Sequence, residues 1–349
     1  MDASRAARAL EAWYAAHARD LPWRRTRDPW AILLSEVLLQ QTRAATGARR
    51  FPALVARFPS ASAMAAASDD DVLRAWAGLG YYRRARSLHA AAKAIVAHHD
   101  GEVPRDEAAL AALPGLGPYT AAAVRAIAFD EPAAPLDANV ARVLARVLAE
   151  TRPVDAPAGR GALAAAARAI LGAGAPRILA QALIEVGALV CSPEAPACGA
   201  CPLAAQCEAR ARDLQDALPR KRPNAKPRTE RWAFARVVRD GAVLLERRGP
   251  GLLEGFWALP GAQLRRGALA TDALEARLAA LGLRATIGAP DARGRWAFTH
   301  RTWQFSVHPG RARGGELMGA ARWVRPSELP NLPLAQPHLP HLAPAARAR

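Results

Sequence analysis

The chain has 349 residues, with 48 basic side chains against 31 acidic ones and a formal net charge of +17. That excess argues against a simple metabolite enzyme and for a polyanionic partner, most often nucleic acid. With 51% hydrophobic residues this is a folding sequence, long enough for two domains, and not a disordered basic tail.

The first residues, MDASRAARALEAWY, carry acidic Asp2 and no apolar core of signal-peptide length. No stretch approaches the roughly 18 apolar residues of a membrane span. The expectation is a cytoplasmic, membrane-free monomer whose thiols stay reduced. Residues 1–213 read as helices broken by Pro and Gly. Asp28-Pro29 starts one, a capping carboxylate before a proline at the first helical position. Leu113-Pro-Gly-Leu-Gly-Pro118 ends one helix and launches the next. Another begins at Asp137 and runs through Val140, Val143, Leu144 and Val147.

The texture then changes. Leu218–Arg231, LPRKRPNAKPRTER, holds three prolines and six basic residues, so 214–230 reads as a linker. Strand-like runs follow at Trp232–Val238, Ala242–Leu245, Trp296–Phe298 and Trp303–Val307, with one helical stretch at Thr271–Leu281. Residues 231–349 are therefore expected to form a smaller α/β domain.

All four cysteines, Cys191, Cys198, Cys201 and Cys207, fall within 17 residues in a C-x6-C-x2-C-x5-C pattern. Such crowding in a reducing compartment points to a metal centre over disulfides. On ligand chemistry, structural zinc and an iron–sulfur cluster stand level. In Leu113–Gly117 two glycines flank one leucine ahead of a helix. Exposed N–H groups there could take a phosphate, although an ordinary helix corner has the same look.

Two carboxylates stand out. Glu36 lies in WAILLSEVLL, an apolar helix on nearly every face. Desolvation there would raise its pKa and suit it to general-acid work, unless an arginine pairs with it. Asp137, at a helix N-terminus, is expected to stay ionised with a low pKa and to face developing positive charge. Together they suit cleavage of a glycosidic bond.

The cysteine spacing resembles the 4Fe–4S module of endonuclease III-like glycosylases. Leu113–Gly117 looks like their helix-hairpin-helix. Leu21-Pro-Trp-Arg24, Ser35–Thr42, Gly78–Tyr82 with Arg84-Ala-Arg86, and Leu136–Val140 resemble, in order, the signatures of adenine DNA glycosylases of the MutY type. The resemblance implies a helical helix-hairpin-helix domain over 1–213, a 4Fe–4S module at 191–207 and a C-terminal Nudix-like domain. It also implies excision of adenine paired with 8-oxoguanine or guanine in duplex DNA, with the protein gathered on the nucleoid. Glu36 would then protonate adenine N7 and Asp137 would steady the sugar cation, with Tyr119 and Asn139 supporting the pocket. Tyr119 stands where superfamily members that also cut the backbone have a lysine, which implies base removal alone. Gln41, with Thr42 beside it, Leu79 and Tyr81 would wedge into the base stack. Trp23 and Arg24 would line the pocket of the extruded adenine, and Gly115 and Gly117 would take a phosphate.

Gly255–Gly261 resembles the strand entering a Nudix box that ends at Gly282-Leu283. Gly267, Ala276, Ala279 and Ala280 stand where metal-binding carboxylates are expected, so Mg²⁺ would have little to hold it and a nucleotide hydrolase is the weaker reading. Phe298-Thr299-His300 resembles the family's Phe-Ser-His loop that touches 8-oxoguanine. In the loop after Cys191, Glu194 replaces the basic residue many relatives carry, which speaks against a phosphate contact there.

Overall fold

The computed structural model describes residues 1–222, 227–298 and 300–342; Thr299 lies outside them. The chain divides into two compact units, Met1–Pro223 and Asn224–Arg349. No helix among the described residues is long and apolar enough to cross a membrane.

Unit 1 is helical. Its helices are α1 (Ala3–His17), α2 (Pro29–Leu39), α3 (Ala44–Arg57), α4 (Ala61–Ala65), α5 (Asp69–Ala75) and α6 (Arg83–His98). They continue as α7 (Glu107–Ala112), α8 (Pro118–Ile127), α9 (Ala138–Val147), α10 (Pro157–Leu171), α11 (Pro176–Leu189) and α12 (Glu208–Ala211). Short polar side chains begin several of them: Asp28 accepts from the Trp30 and Ala31 amides, Ser68 from Asp71, and Asp106 from Ala109. Helix α2 is buried from Trp30 through Leu38 and packs against α3, α6 and α8. A helix so enclosed needs no polar face, which is why its sequence shows almost none.

The segment read as a linker is partly taken up by structure. Leu218 is buried in unit 1, the Arg220 carbonyl accepts from the Val154 amide, and the first strand already starts at Arg228.

Unit 2 holds β1 (Arg228–Arg239), β2 (Ala242–Arg247), β3 (Trp257–Ala258), β4 (Gly261–Gln263), α13 (Ala270–Ala280), β5 (Arg284–Ile287), β6 (Ala292–Ala297), β7 (Arg301–Gly314) and β8 (Ala321–Val324). β1 and β7 run parallel at the centre of a mixed sheet. Alternation along them builds two cores. Phe234, Trp303, Phe305 and Val307 fill one face, while Ala233, Ala235 and Val237 meet Leu274 and Leu278 of α13 on the other. Ala276, Ala279 and Ala280 lie exposed on α13.

Candidate active site

Helix α2 carries Glu36 on its buried stretch, 6% exposed. The Tyr119 hydroxyl, from the first turn of α8, donates a hydrogen bond to its carboxylate. Burial pushes the Glu36 acid up to about 7, against the pull of Tyr119 and with added repulsion from Asp137. The three groups named from sequence therefore come together. Tyr119 is itself raised well above an ordinary phenol by burial and by the two carboxylates.

Asp137 is the N-cap of α9. Its Oδ1 accepts from the Val140 amide at 2.7 Å and its Oδ2 from Asn139 Nδ2 at 2.9 Å. The expectation of a low pKa needs correction. Burial raises the Asp137 carboxyl above its ordinary value, and the Val140 and Asn139 donors offset only part of that. A cap at a solvated helix end would have behaved as expected; this one is partly enclosed.

Asn139 in turn accepts from Arg142 Nη2 at 2.9 Å. Arg142 also donates to the Cys191 carbonyl at 2.7 Å and the Gly187 carbonyl at 2.8 Å. One turn on, Arg146 donates to the Ser192 carbonyl at 2.7 Å and the Pro193 carbonyl at 3.1 Å, with Nη1 at 3.3 Å from Cys191 Sγ. These two arginines were not singled out from sequence. Their signal was present: two cations spaced i, i+4 among the apolar residues of α9.

The four cysteines line one cavity together with Val143, Arg146, Val147 and Val190. Burial pushes the Cys201 thiol up to about 11, with repulsion from the other three sulfurs added. In type and number these donors suit a cationic centre, which would draw the sulfurs together and relieve that repulsion by holding them as thiolates. Among the described residues, no group of three or more His, Cys, Asp or Glu is arranged to hold a metal ion.

The residues expected to wedge into the base stack sit on two strained turns. Gln41 (φ 56°) and Tyr81 (φ 47°) adopt left-handed backbone, and both are exposed. Leu79, expected beside them, turns inward and is buried. Arg84, quoted from sequence only as part of a motif, ties the turns together. Its buried guanidinium donates to the carbonyls of Val37, Leu38 and Gln40 and to Thr42 Oγ1 on one side, and to those of Leu79 and Gly80 on the other. It thereby caps the C-terminus of α2.

Trp23 is buried edge-on against Phe51. Arg24 donates to Glu185 on α11, as does Arg19, each through a 2.7 Å contact. Burial drives Glu185 up, but these two arginines outweigh it and hold the acid at about 2.

In the hairpin, Gly115 (φ 75°) has no room for a side chain, which would strike Ser87. Gly117 precedes α8 with open space where a Cβ would stand. In unit 2, Phe298 packs edge-on against Trp303 and His300 is exposed.

Residues 34–156 match the HhH-GPD superfamily of base excision DNA repair proteins, and residues 233–343 match the NUDIX domain. Similar curated proteins include the adenine DNA glycosylase of Homo sapiens, 33% identical over 321 residues, covering 74% of this chain and 59% of that protein. That of Mycolicibacterium smegmatis is 43% identical over 195 residues, covering 56% of this chain and 66% of that protein. The chain thus spans somewhat under two thirds of the length of these relatives. A solved thermostable thymine-DNA glycosylase is similar at a TM-score of 0.55 and 28% identity, covering 59% of this chain and 95% of that one. Within the superfamily match fall Glu36, Tyr119, Asp137 and the hairpin; the cysteines lie beyond it.

Proposed function

We propose that this chain is a monofunctional glycosylase that removes adenine paired with 8-oxoguanine, or with guanine, in duplex DNA. The observation that carries the reading is the Glu36 acid held at about 7, bonded to Tyr119 and facing Asp137. A neutral carboxylic acid near physiological pH can hand its proton to N7 of an extruded adenine. The C1′–N9 electrons then leave with the base, and positive charge develops on the sugar. Asp137, ionised and fixed by Val140 and Asn139, offsets that charge until water adds at C1′. Tyr119 orients the acid but has no amine with which to form a Schiff base, so the backbone survives the reaction. The exposed turns at Gln41 and Tyr81 suit a wedge that holds the duplex open.

Cys191, Cys198, Cys201 and Cys207 would hold a 4Fe–4S cluster, which when bound cross-links the 191–207 loop through four thiolates. The Nudix-like unit would read the damaged partner base through Phe298, Thr299 and His300.

The test is alkali-revealed strand breakage across duplexes that differ only in the base opposite adenine. Excision should be fastest opposite 8-oxoguanine, and Glu36→Gln should abolish it while leaving lesion binding within a fewfold. Substantial turnover by the Gln variant would remove Glu36 from its role. A borohydride-trapped enzyme–DNA adduct would overturn the monofunctional assignment.

A further inference from the structure

Among the described residues, the sheet of unit 2 has one half-face that no helix covers. The registers of β1, β7 and β6 place Arg231, Gln304 and Arg295 in one row across three adjacent strands, and Ala233, Ser306 and Arg293 in the next. Residues paired this way share a face. Helix α13 closes that face over Ala233, Ala235 and Val237. From Arg231 outward it lies open: Thr229, Arg231, Arg293, Arg295 and Gln304 are all exposed.

The charge on this half-face has one sign. None of the residues that β1, β7 and β6 direct to it is acidic. Arg231, Arg293 and Arg295 form no ion pair among the described residues. The carboxylate of Glu230 points to the opposite face, where the Trp232 and Trp303 indoles and Arg301 bond it. Three uncompensated guanidiniums on a rigid sheet repel one another, and an anion relieves that repulsion. Arg293 and Arg295, two residues apart on one strand, stand about 7 Å from each other along it. Successive phosphates of a nucleic-acid strand are spaced comparably. Gln304, Thr229 and Ser306 between them offer the neutral donors that phosphate contacts use.

We infer that this half-face binds the sugar-phosphate backbone of duplex DNA, as a contact of unit 2 separate from the Glu36 site. The inference rests on the reading that the chain acts on DNA, and adds a backbone contact to the base-reading role proposed for unit 2.

The experiment uses the full chain with Arg231→Gln, Arg293→Gln and Arg295→Gln combined. Its control is an equal charge change elsewhere on unit 2, Arg265→Gln, Arg266→Gln and Arg284→Gln. Binding to a fluorescent, fully paired duplex is followed by anisotropy over a salt series, with thermal melting to check folding. Replacing three phosphate contacts should weaken binding at least tenfold at low salt. It should also lower the slope of log affinity against log salt by about two to three, at roughly 0.9 per phosphate. The control triple should lower it by less than one. An unchanged slope, or equal slopes for both triples, overturns the inference. Either result would mean that the face serves another partner or adds only net charge. Failure of the glycosylase reading is separable. It would appear as no adenine excision by the unsubstituted chain, whatever the salt slopes do.

Discussion

The carboxylic acid at position 36 keeps its proton because it is buried and, among the described residues, is met by a phenol and by no cation. The pH dependence follows. The acid form prevails below about 7, so the single-turnover excision rate should fall close to tenfold per unit above that value. The burial of Asp137 raises its pKa too, so a second limb should appear on the acid side as it takes up a proton. Stability depends on the same group in the same direction. The folded pKa of Glu36 exceeds its ordinary value of 4.5, so its contribution is complete below 4.5 and is lost as pH rises through 7. Glu36→Gln removes that loss. It should raise the melting temperature at pH 8, by up to about 3 kcal/mol of stability, and change little at pH 4. Equal stability of the two proteins at pH 8 would mean that Glu36 is not desolvated.

Among the elements, α9 bears the most. Its N-cap is Asp137, its first turn places Asn139, and its next two turns hold the loop after Cys191 through Arg142 and Arg146. The helix sits close against α11 only because position 187 is glycine: a Cβ there would stand 2.5 Å from Asn139 Cβ. Gly187→Ala should therefore push the Asp137–Asn139 pair out of place. A loss of about 1–3 kcal/mol of stability is expected, with a fall in excision rate larger than the loss of DNA affinity. A variant that melts normally and excises normally would show that α9 has slack at its N-terminus. The spacing of Arg142 and Arg146 was readable in the sequence. What they hold was not, because the carbonyls they bond after position 186 lie 45 or more residues away.

For the whole molecule, the excess of 48 basic over 31 acidic residues is spread over both units and already points to a polyanion. The cysteine spacing points to a metal centre, and the choice between metals rests on its identity in the purified protein. Metal analysis should find about four irons per chain and little zinc. One zinc per chain would replace the cluster by a single-ion site. Proline and charge alone place a division at 213 and a linker to 230. Leu218 buries itself in unit 1 and β1 begins at Arg228, since tertiary packing draws in any apolar residue or strand end it can reach.

Two glutamates separate what composition and pattern could determine from what they could not. Glu36 lies in WAILLSEVLL and Glu185 in LAQALIEVGALV, each a lone acid in an apolar helix. From sequence both admit the same two fates, desolvated acid or buried ion pair. In the fold, Glu185 meets Arg19 and Arg24, more than 160 residues away, and is held at about 2; Glu36 meets Tyr119 and rests at about 7. Burial is local and periodic, so the sequence carries it. The charge that answers a buried acid arrives from elsewhere in the chain, and only the packing of the helices decides which acid receives it.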